Sequence, residues 1–532
     1  MQPDLHLTNA HIITQYDAQP RAVGLLIRAG RVLALLDADE AIPGVDRLDL
    51  GGRTVIPGLT DAHVHLSWYA SFLQEVNLKG ARSAEECVER AAKRAAESDE
   101  EWLRGRGWGQ SEWENTAFPT AAQLDARIAD RPVYLIAHSG HAAGVNSAAL
   151  RRAGITAETP DPPGGQIGRD ASGQPTGVLF ETAMELVADL IPSPTVEELA
   201  ARVKTAVERA HQGGLTGIHD FDGALAFRAY QHLHHNSDLT LRIVKNIPVH
   251  KLDHAIEVGL RWGFGDDYLR IGAVKTFADG ALGAKTAWMI APYEGEPDNV
   301  GICVTDPEEM TYNVSRASAA GLPSTIHAIG DKAVHEVLNA YEIVRREEAE
   351  RGVSPAAMRH RIEHVQVIHP DDRYRLGEMG IIASMQPNHA TSDMEAADRL
   401  WGERAAYAYH WRWQLDAGAM LALGSDAPIE PIEPLPNIQA AVTRRRPDGS
   451  PGPEGWRSGE NGRLSLSEAL HGFTIGPAYA AGMEDRLGRL APGYLADLVV
   501  LGDDLTQVDP MTLGDIEVLG TMVGGEWVYR AF

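Results

Sequence analysis

Residues 54–66 read TVIPGLTDAHVHL, and they divide the chain into two kinds of pattern. Val55 and Ile56 approach as an apolar strand, and Pro57-Gly58 kinks the chain ahead of Asp61-Ala62-His63-Val64-His65. Successive side chains of a strand point to opposite faces, so His63 and His65 project the same way and can grip one cation. In a chain with 21 His such a pair is a weak signal alone. Its meaning depends on whether further ligands stand at the ends of later strands.

Upstream, LHLTNAHIIT, AVGLLIRAGRVLALL and DRLDLGGRTVI alternate in short apolar bursts over residues 4–56, which predicts a small β meander. The chain end reads the same way in GYLADLVVLGDD and TMVGGEWVYRAF. Chain ends commonly lie close together, so one composite β-sandwich of residues 1–56 and 476–532 is the economical arrangement.

Downstream, the pattern changes to strands alternating with helices. Residues 83–97 carry an apolar stripe at Cys87-Val88, Ala91-Ala92 and Ala95, a second helix runs over 120–128, and 196–212 is strongly amphipathic. Between the first two, a Gly-rich loop gathers Trp102, Trp108 and Trp113 as either a packed plug or a substrate wall. Residues 132–138 form an apolar strand closing on His138-Ser139-Gly140-His141, and 160–176 read as a long loop or hairpin. From 215 the strands recur at 215–220, 241–245, 269–275, 323–327, 361–364, 381–385 and 420–426, each but 381–385 closing on a polar residue. Repeated strand-then-helix units with polar strand ends predict an α/β fold, a distorted (β/α)8 TIM barrel over 57–475 with an insertion at about 68–210 between early strands. The alternative, a doubly wound open sheet, lacks a GxGxxG that opens a helix after the first strand.

At 532 residues the chain exceeds the size at which a single core stops growing, though α/β barrels with insertions reach it. Asp and Glu outnumber Lys and Arg by 74 to 48, and a net charge of −26 disfavours nucleic acid and anionic membranes as partners. The run Arg444-Arg445-Arg446 is too short to reverse that field. Cys87 and Cys303 cannot build a disulfide framework and fit a reducing compartment. The start MQPDLHLTNAHIIT has neither the basic nor the apolar region of a signal peptide, and no run reaches the roughly 20 apolar residues of a membrane span. These features predict a cytoplasmic protein acting on a small molecule, with the number of subunits open and a homodimer among the arrangements.

The polar strand ends are His63, His65, Lys275, His327, His364 and Asp426. In a barrel they converge on one mouth. Four imidazoles, an amine and a carboxylate suit a two-zinc hydrolytic site, provided that the lysine becomes anionic. A desolvated lysine loses its proton readily, and the neutral amine can add carbon dioxide to give a carbamate that bridges two cations. The other reading of Lys275 is an ordinary lysine paired with Asp279 or with a substrate carboxylate. Asp426 is either a weak ligand and general base or the Asx turn that Asp near Pro often makes.

The motifs VIPGLTDAHVH at 55–65, VKTFADGALGAKTA at 274–287, STIHAIGDKAV at 324–334, RIEHVQ at 361–366, LGSDAPIEP at 423–431 and GRLAPGYLADLVVL at 488–501 carry a resemblance. GRGWGQSEW at 105–113, HSGHAAGVNSAAL at 138–150 and GVLFETA at 177–183 extend it. In order, over nearly the whole chain, they resemble the amidohydrolase superfamily and, within it, amidohydrolase family 3. The resemblance implies that His63 and His65 are first-strand ligands of the more buried metal and that Lys275 is a bridging, often carboxylated lysine. It implies that His327 and His364 bind the more exposed ion, and that Asp426 is ligand and proton shuttle. The metals it implies are two zinc ions, with manganese or iron, or a single ion, as alternatives.

The implied chemistry is hydrolysis of a non-peptide C–N bond by hydroxide held at the metals, with Asp426 returning the proton to the leaving group. Alternatives are an ester or lactone hydrolase, a lyase or isomerase on the same site, and a non-catalytic scaffold. Scaffold relatives typically lose ligands, whereas all six positions are filled in this chain.

Substrate contacts are assigned to His141, Glu181, Trp113 and Lys285. His138 and Asn146 stand beside them as orienting groups or as members of a loop network. Lys285 departs from the family, where many relatives have Arg, and it shifts substrate preference if it grips a carboxylate. His219 reads either as a partner behind a ligand or as a buried hydrogen-bonded histidine. Trp68, Tyr69, Trp108 and Trp288 either wall a pocket or pack.

Overall fold

The computed structural model describes residues 4–38, 42, 44–109, 113, 117–137, 140–457 and 462–532. The chain divides into two compact units, Met1–Tyr69 with Val203–Phe532, and Ala70–Arg202.

The first unit contains an eight-stranded parallel sheet, and its strands are labelled β1 (Leu59–Val64), β2 (Leu215–Asp220), β3 (Arg242–Pro248), β4 (Leu269–Phe277), β5 (Ser324–Ala328), β6 (Arg361–His364), β7 (Ile382–Met385) and β8 (Leu421–Leu423). Each pairs in parallel with its predecessor in the sequence. The barrel nearly closes through a bridge between Val64 and Ala427, with His65 N–H donating to the Ala427 carbonyl at 2.9 Å and Asp426 N–H to that of His63 at 2.7 Å. Helices follow the strands because their apolar residues recur on one face. Asp331–Glu350, after β5, buries Val334, Val337, Leu338, Tyr341 and Val344. Among the described residues no helix is long and apolar enough to cross a membrane.

Two sheets flank the barrel strands in sequence, one of four strands (Leu5–Thr8, Gly24–Arg28, Arg31–Leu36, Asp46–Asp49) and one of six. The six-stranded sheet takes His11–Ile13, Arg21–Ala22 and Thr54–Pro57 from the N-terminal part, and Leu498–Leu501, Val518–Val523 and Glu526–Arg530 from the C-terminal part. Leu7, Leu25, Val55, Leu498, Val500 and Met522 share one core between the sheets. The N-terminal strands are therefore not a simple meander. Thr54–Pro57 lies parallel to His11–Ile13 and antiparallel to Leu498–Leu501, pairings that a local alternation pattern does not reveal. Gly58 carries the chain from this sheet into β1, where a Cβ would meet Thr216 Oγ1 at 2.3 Å.

A buried ion pair ties the C-terminal strands to the barrel. Arg242 in β3 donates twice to Asp497, at 2.7 and 2.8 Å, and Asp497 also accepts the Gly524 N–H. Asp497→Ala leaves the guanidinium buried without its partner. It is expected to lower stability by about 3–5 kcal/mol, while the paired change Arg242→Met/Asp497→Leu recovers most of that, read from thermal midpoints.

The second unit holds a six-stranded sheet in the order Gly165–Arg169, Pro175–Glu181, Ala142–Val145, Val133–Ala137, Leu103–Trp108, Val76–Asn77. Of the loop or hairpin expected over 160–176, the structure has a hairpin, formed by the first two of these strands and reaching Glu181. The helix Ala84–Glu97 is capped by Ser83 and buries Cys87, Val88 and Ala91. The Gly-rich segment is partly a strand rather than a loop. Trp102, Trp108 and Trp113 are all buried in this unit's cores.

Candidate metal centre

β1 delivers two imidazoles to one face, and an acceptor behind each fixes its tautomer. His63 Nδ1 donates to Glu363 Oε2 at 2.6 Å and His65 Nδ1 to Asp222 Oδ1 at 3.0 Å, which leaves both Nε2 atoms as lone-pair donors. Those Nε2 atoms lie 3.5 and 3.6 Å from Asp426 Oδ1. The separations are too long for good hydrogen bonds and close to the roughly 3.3 Å edge of a tetrahedral zinc site with bonds near 2.0–2.1 Å. Burial lowers the His63 pKa to about 4, so the ring is neutral at working pH, as a ligand must be.

Glu363 stays anionic although burial opposes it. Arg361 grips both its oxygens, at 2.7 and 3.0 Å, Thr325 donates to it, and its pKa lies well below the usual range. Glu363→Gln is expected to weaken metal affinity about 10- to 100-fold, measured by competition with a chromogenic chelator.

His364 ends β6 and gives its Nδ1 proton to Gln386 Oε1 at 2.9 Å, again leaving Nε2 free. His327 in β5 is oriented the other way. Its Nε2 donates to the Gly280 carbonyl at 2.9 Å, leaving Nδ1 as the lone-pair nitrogen, and its ring stands 4.5 Å from that of His364. Burial lowers the His327 pKa to about 3. His364 and Asp426 both take left-handed backbone, at φ 74° and 61°, a strain that clusters at functional sites.

Lys275 lies in β4 with its Nζ buried and without a hydrogen-bond partner among the described residues. The Phe221 and Phe277 rings lie 4.6 and 4.8 Å away, and burial lowers its pKa to about 8. The pairing with Asp279 is not formed. That carboxylate accepts the N–H groups of Trp288, Ile329 and Gly330 at 2.8–3.0 Å. An orphaned, desolvated amine beside the neutral imidazoles of His63, His327 and His364 and a carboxylate fits a divalent metal centre that a carbamate on Lys275 would complete.

One residue of the centre escaped sequence reading. His389, in the helix Pro387–Ser392 just past β7, donates from Nε2 to Asp426 Oδ2 at 3.2 Å, and its Nδ1 is 3.8 Å from Glu430. Its ligating atoms group with those of His364 and Asp426 as His63, His65 and Asp426 group on the other side. Burial disfavours its cation, but Asp426 and Glu430 outweigh burial and raise its pKa to about 10. Asp426 itself is held well below the usual carboxylate range by His63 and His389, against burial.

Asp61, two residues before His63, holds backbone rather than an imidazole ring. It accepts the N–H groups of His63 at 2.9 Å and Ser425 at 3.0 Å, bracing β1 against the β8 loop, and burial raises its pKa to about 7. The brace needs Gly424, whose Cβ would lie 2.5 Å from Asp61 Oδ1. His219 accepts from Arg361 at 2.7 Å and is buried. Lys285 is ion-paired with Glu296 in the loop after β4.

In the second unit His141 Nδ1 donates to exposed Glu181 at 2.9 Å, and Trp113 gives its indole N–H to the Ala81 carbonyl at 2.6 Å. Asn146 caps the helix Ser147–Arg152. His138 lies outside the described residues.

The profile of the amidohydrolase family matches residues 46–529. The chain belongs to the amidohydrolase family. It is 34% identical to the putative amidohydrolase YtcJ of Bacillus subtilis, over 92% of this chain and 91% of that one. It is 31% identical to the N-substituted formamide deformylase of Arthrobacter pascens, over 99% and 98%. A crystal structure of an uncharacterized metal-dependent hydrolase from Pyrococcus furiosus superposes with a TM-score of 0.78 at 31% identity, covering 95% of this chain and 99% of that one.

Proposed function

We propose that this amidohydrolase is a metal-dependent hydrolase that cleaves a non-peptide C–N bond of a small molecule. The observation that carries the reading is the convergence of the His63 and His65 Nε2 atoms on Asp426 Oδ1, each ring held from behind in the ligating tautomer. The similarity to an N-substituted formamide deformylase supports the choice of bond. His63, His65 and Asp426 would hold one ion and His327 and His364 a second, with a carboxylated Lys275 shared by both. Imidazole and carboxylate donors suit zinc, with manganese or iron as alternatives.

A bound divalent cation supplies Lewis acidity at the substrate carbonyl and brings the pKa of water to about 7. The remaining work belongs to side chains. Asp426 accepts the proton of the attacking water and passes it to the leaving nitrogen, so the amine departs neutral. His389, donating to Oδ2, keeps that carboxylate aimed while Oδ1 faces the two imidazoles. Glu363, Asp222 and Gln386 hold the three Nδ1 protons, so the ligating rings do not flip tautomer.

The test is product analysis on the zinc- or manganese-loaded chain with matched N-substituted formamides, other amides, esters and lactones. Release of the free amine is the expected result. Turnover of esters or lactones alone overturns the assignment to C–N bonds.

A further inference from the structure

The ligating rings are bordered by apolar side chains that solvent reaches. Phe277, the last residue of β4, lies 5.3 Å from the His327 ring and 4.8 Å from Lys275 Nζ, yet is 45% exposed. Trp68, in the helix Leu66–Phe72 after β1, meets His65 edge-on at 5.8 Å and is 38% exposed. Ile429, three residues past Asp426, is 54% exposed, and Val304, also exposed, bonds its N–H to the carbonyl of Ala278, the residue after Phe277, at 2.9 Å. Single exposed apolar residues need no explanation. Several at the ends of β1, β4 and β8, around one polar centre, mark a surface that binds something.

The charges nearby point the same way. Lys285 is paired with Glu296, Lys245 with Asp220, and Arg361 is engaged by Glu363, His219, Ser384 and the Ala62 carbonyl. Asp426, Asp222, Glu363 and Glu430 are acidic, and a net charge of −26 adds a repulsive field. His389 is engaged by Asp426 and Glu430, and Lys275 as the carbamate of the metal-centre reading is no cation, so a substrate carboxylate at this rim would lose hydration without gaining a partner from these side chains.

We propose that the substrate carries an uncharged aryl or branched alkyl group beside the cleaved bond, seated on Phe277 and Trp68, and no carboxylate at that position. This inference rests on the metal-centre reading and narrows it to neutral, apolar N- or acyl-substituted substrates.

Hydroxamates, which chelate divalent metals, test the subsite without needing turnover. The zinc-loaded full chain is titrated calorimetrically with acetohydroxamate, phenylacetohydroxamate and 4-carboxyphenylacetohydroxamate. The phenyl compound is expected to bind about 10- to 100-fold tighter than the acetyl one, and the carboxylate to cancel most of that gain. Phe277→Ala and Trp68→Ala, with zinc content measured in parallel, should each shrink the phenyl-to-acetyl ratio several-fold, and Phe277→Leu should keep most of it. Equal or tighter binding of the carboxylated compound, or an unchanged ratio in both alanine variants with zinc retained, overturns the inference alone. Failure of all three hydroxamates to bind overturns the metal-centre reading and this inference with it.

Discussion

Lys275→Ala is expected to lose metal and hydrolysis together. Its Nζ is buried without a hydrogen-bond partner among the described residues, between the rings of Phe221 and Phe277 and close enough to His63, His327 and His364 to depress their basicity. As an ammonium it would repel a cation, and as a carbamate it would bridge two. Loss of partners that only orient ligands costs about 10- to 100-fold, so loss of a bridge should exceed about 100-fold in activity, with a matching fall in bound metal. Short carboxylic acids such as formate, acetate and propionate should restore part of both, because a free carboxylate can occupy the space of the missing carbamate. Native mass spectrometry of the unaltered chain should show the increment of one carbon dioxide. Full metal content in Lys275→Ala contradicts the bridge.

The second large effect is at Asp426. Asp426→Asn keeps the size and one oxygen but removes the proton acceptor, and general acid–base catalysis is worth about 10²- to 10⁴-fold. The expected result is a fall of that order in kcat with a smaller change in KM. Retained metal with that kcat loss separates the proton-transfer role from ligation. A variant with undiminished kcat contradicts it.

How the centre was legible follows from where its residues lie. Six residues at five strand ends could be read because those apolar runs stop on polar residues and a barrel brings the stops together. His389 escaped because β7 ends at Met385, and the short helix Pro387–Ser392 turns the imidazole back toward Asp426. The strand-end rule stops before that turn. The signal was present in Gln386-Pro387-Asn388-His389, a proline at a helix start just past a strand.

The groups behind the ligands were hidden for another reason. Glu363 is 300 residues from His63, and Asp222 is 157 from His65, whereas Asp61, the carboxylate nearest the pair in sequence, accepts from backbone and from Ser425. The same limit governs the sheets. Parallel pairing of Thr54–Pro57 with His11–Ile13 is non-local, and the glycines of Leu103–Trp108 made a strand look like a loop.

The most direct measurement is elemental analysis of the chain purified without chelators, followed by activity after adding zinc or manganese. One to two equivalents of a divalent metal, with amide hydrolysis that is lost on chelation and regained on reloading, is the predicted result. A chain that binds no divalent metal and stays inactive with added zinc and manganese contradicts the account.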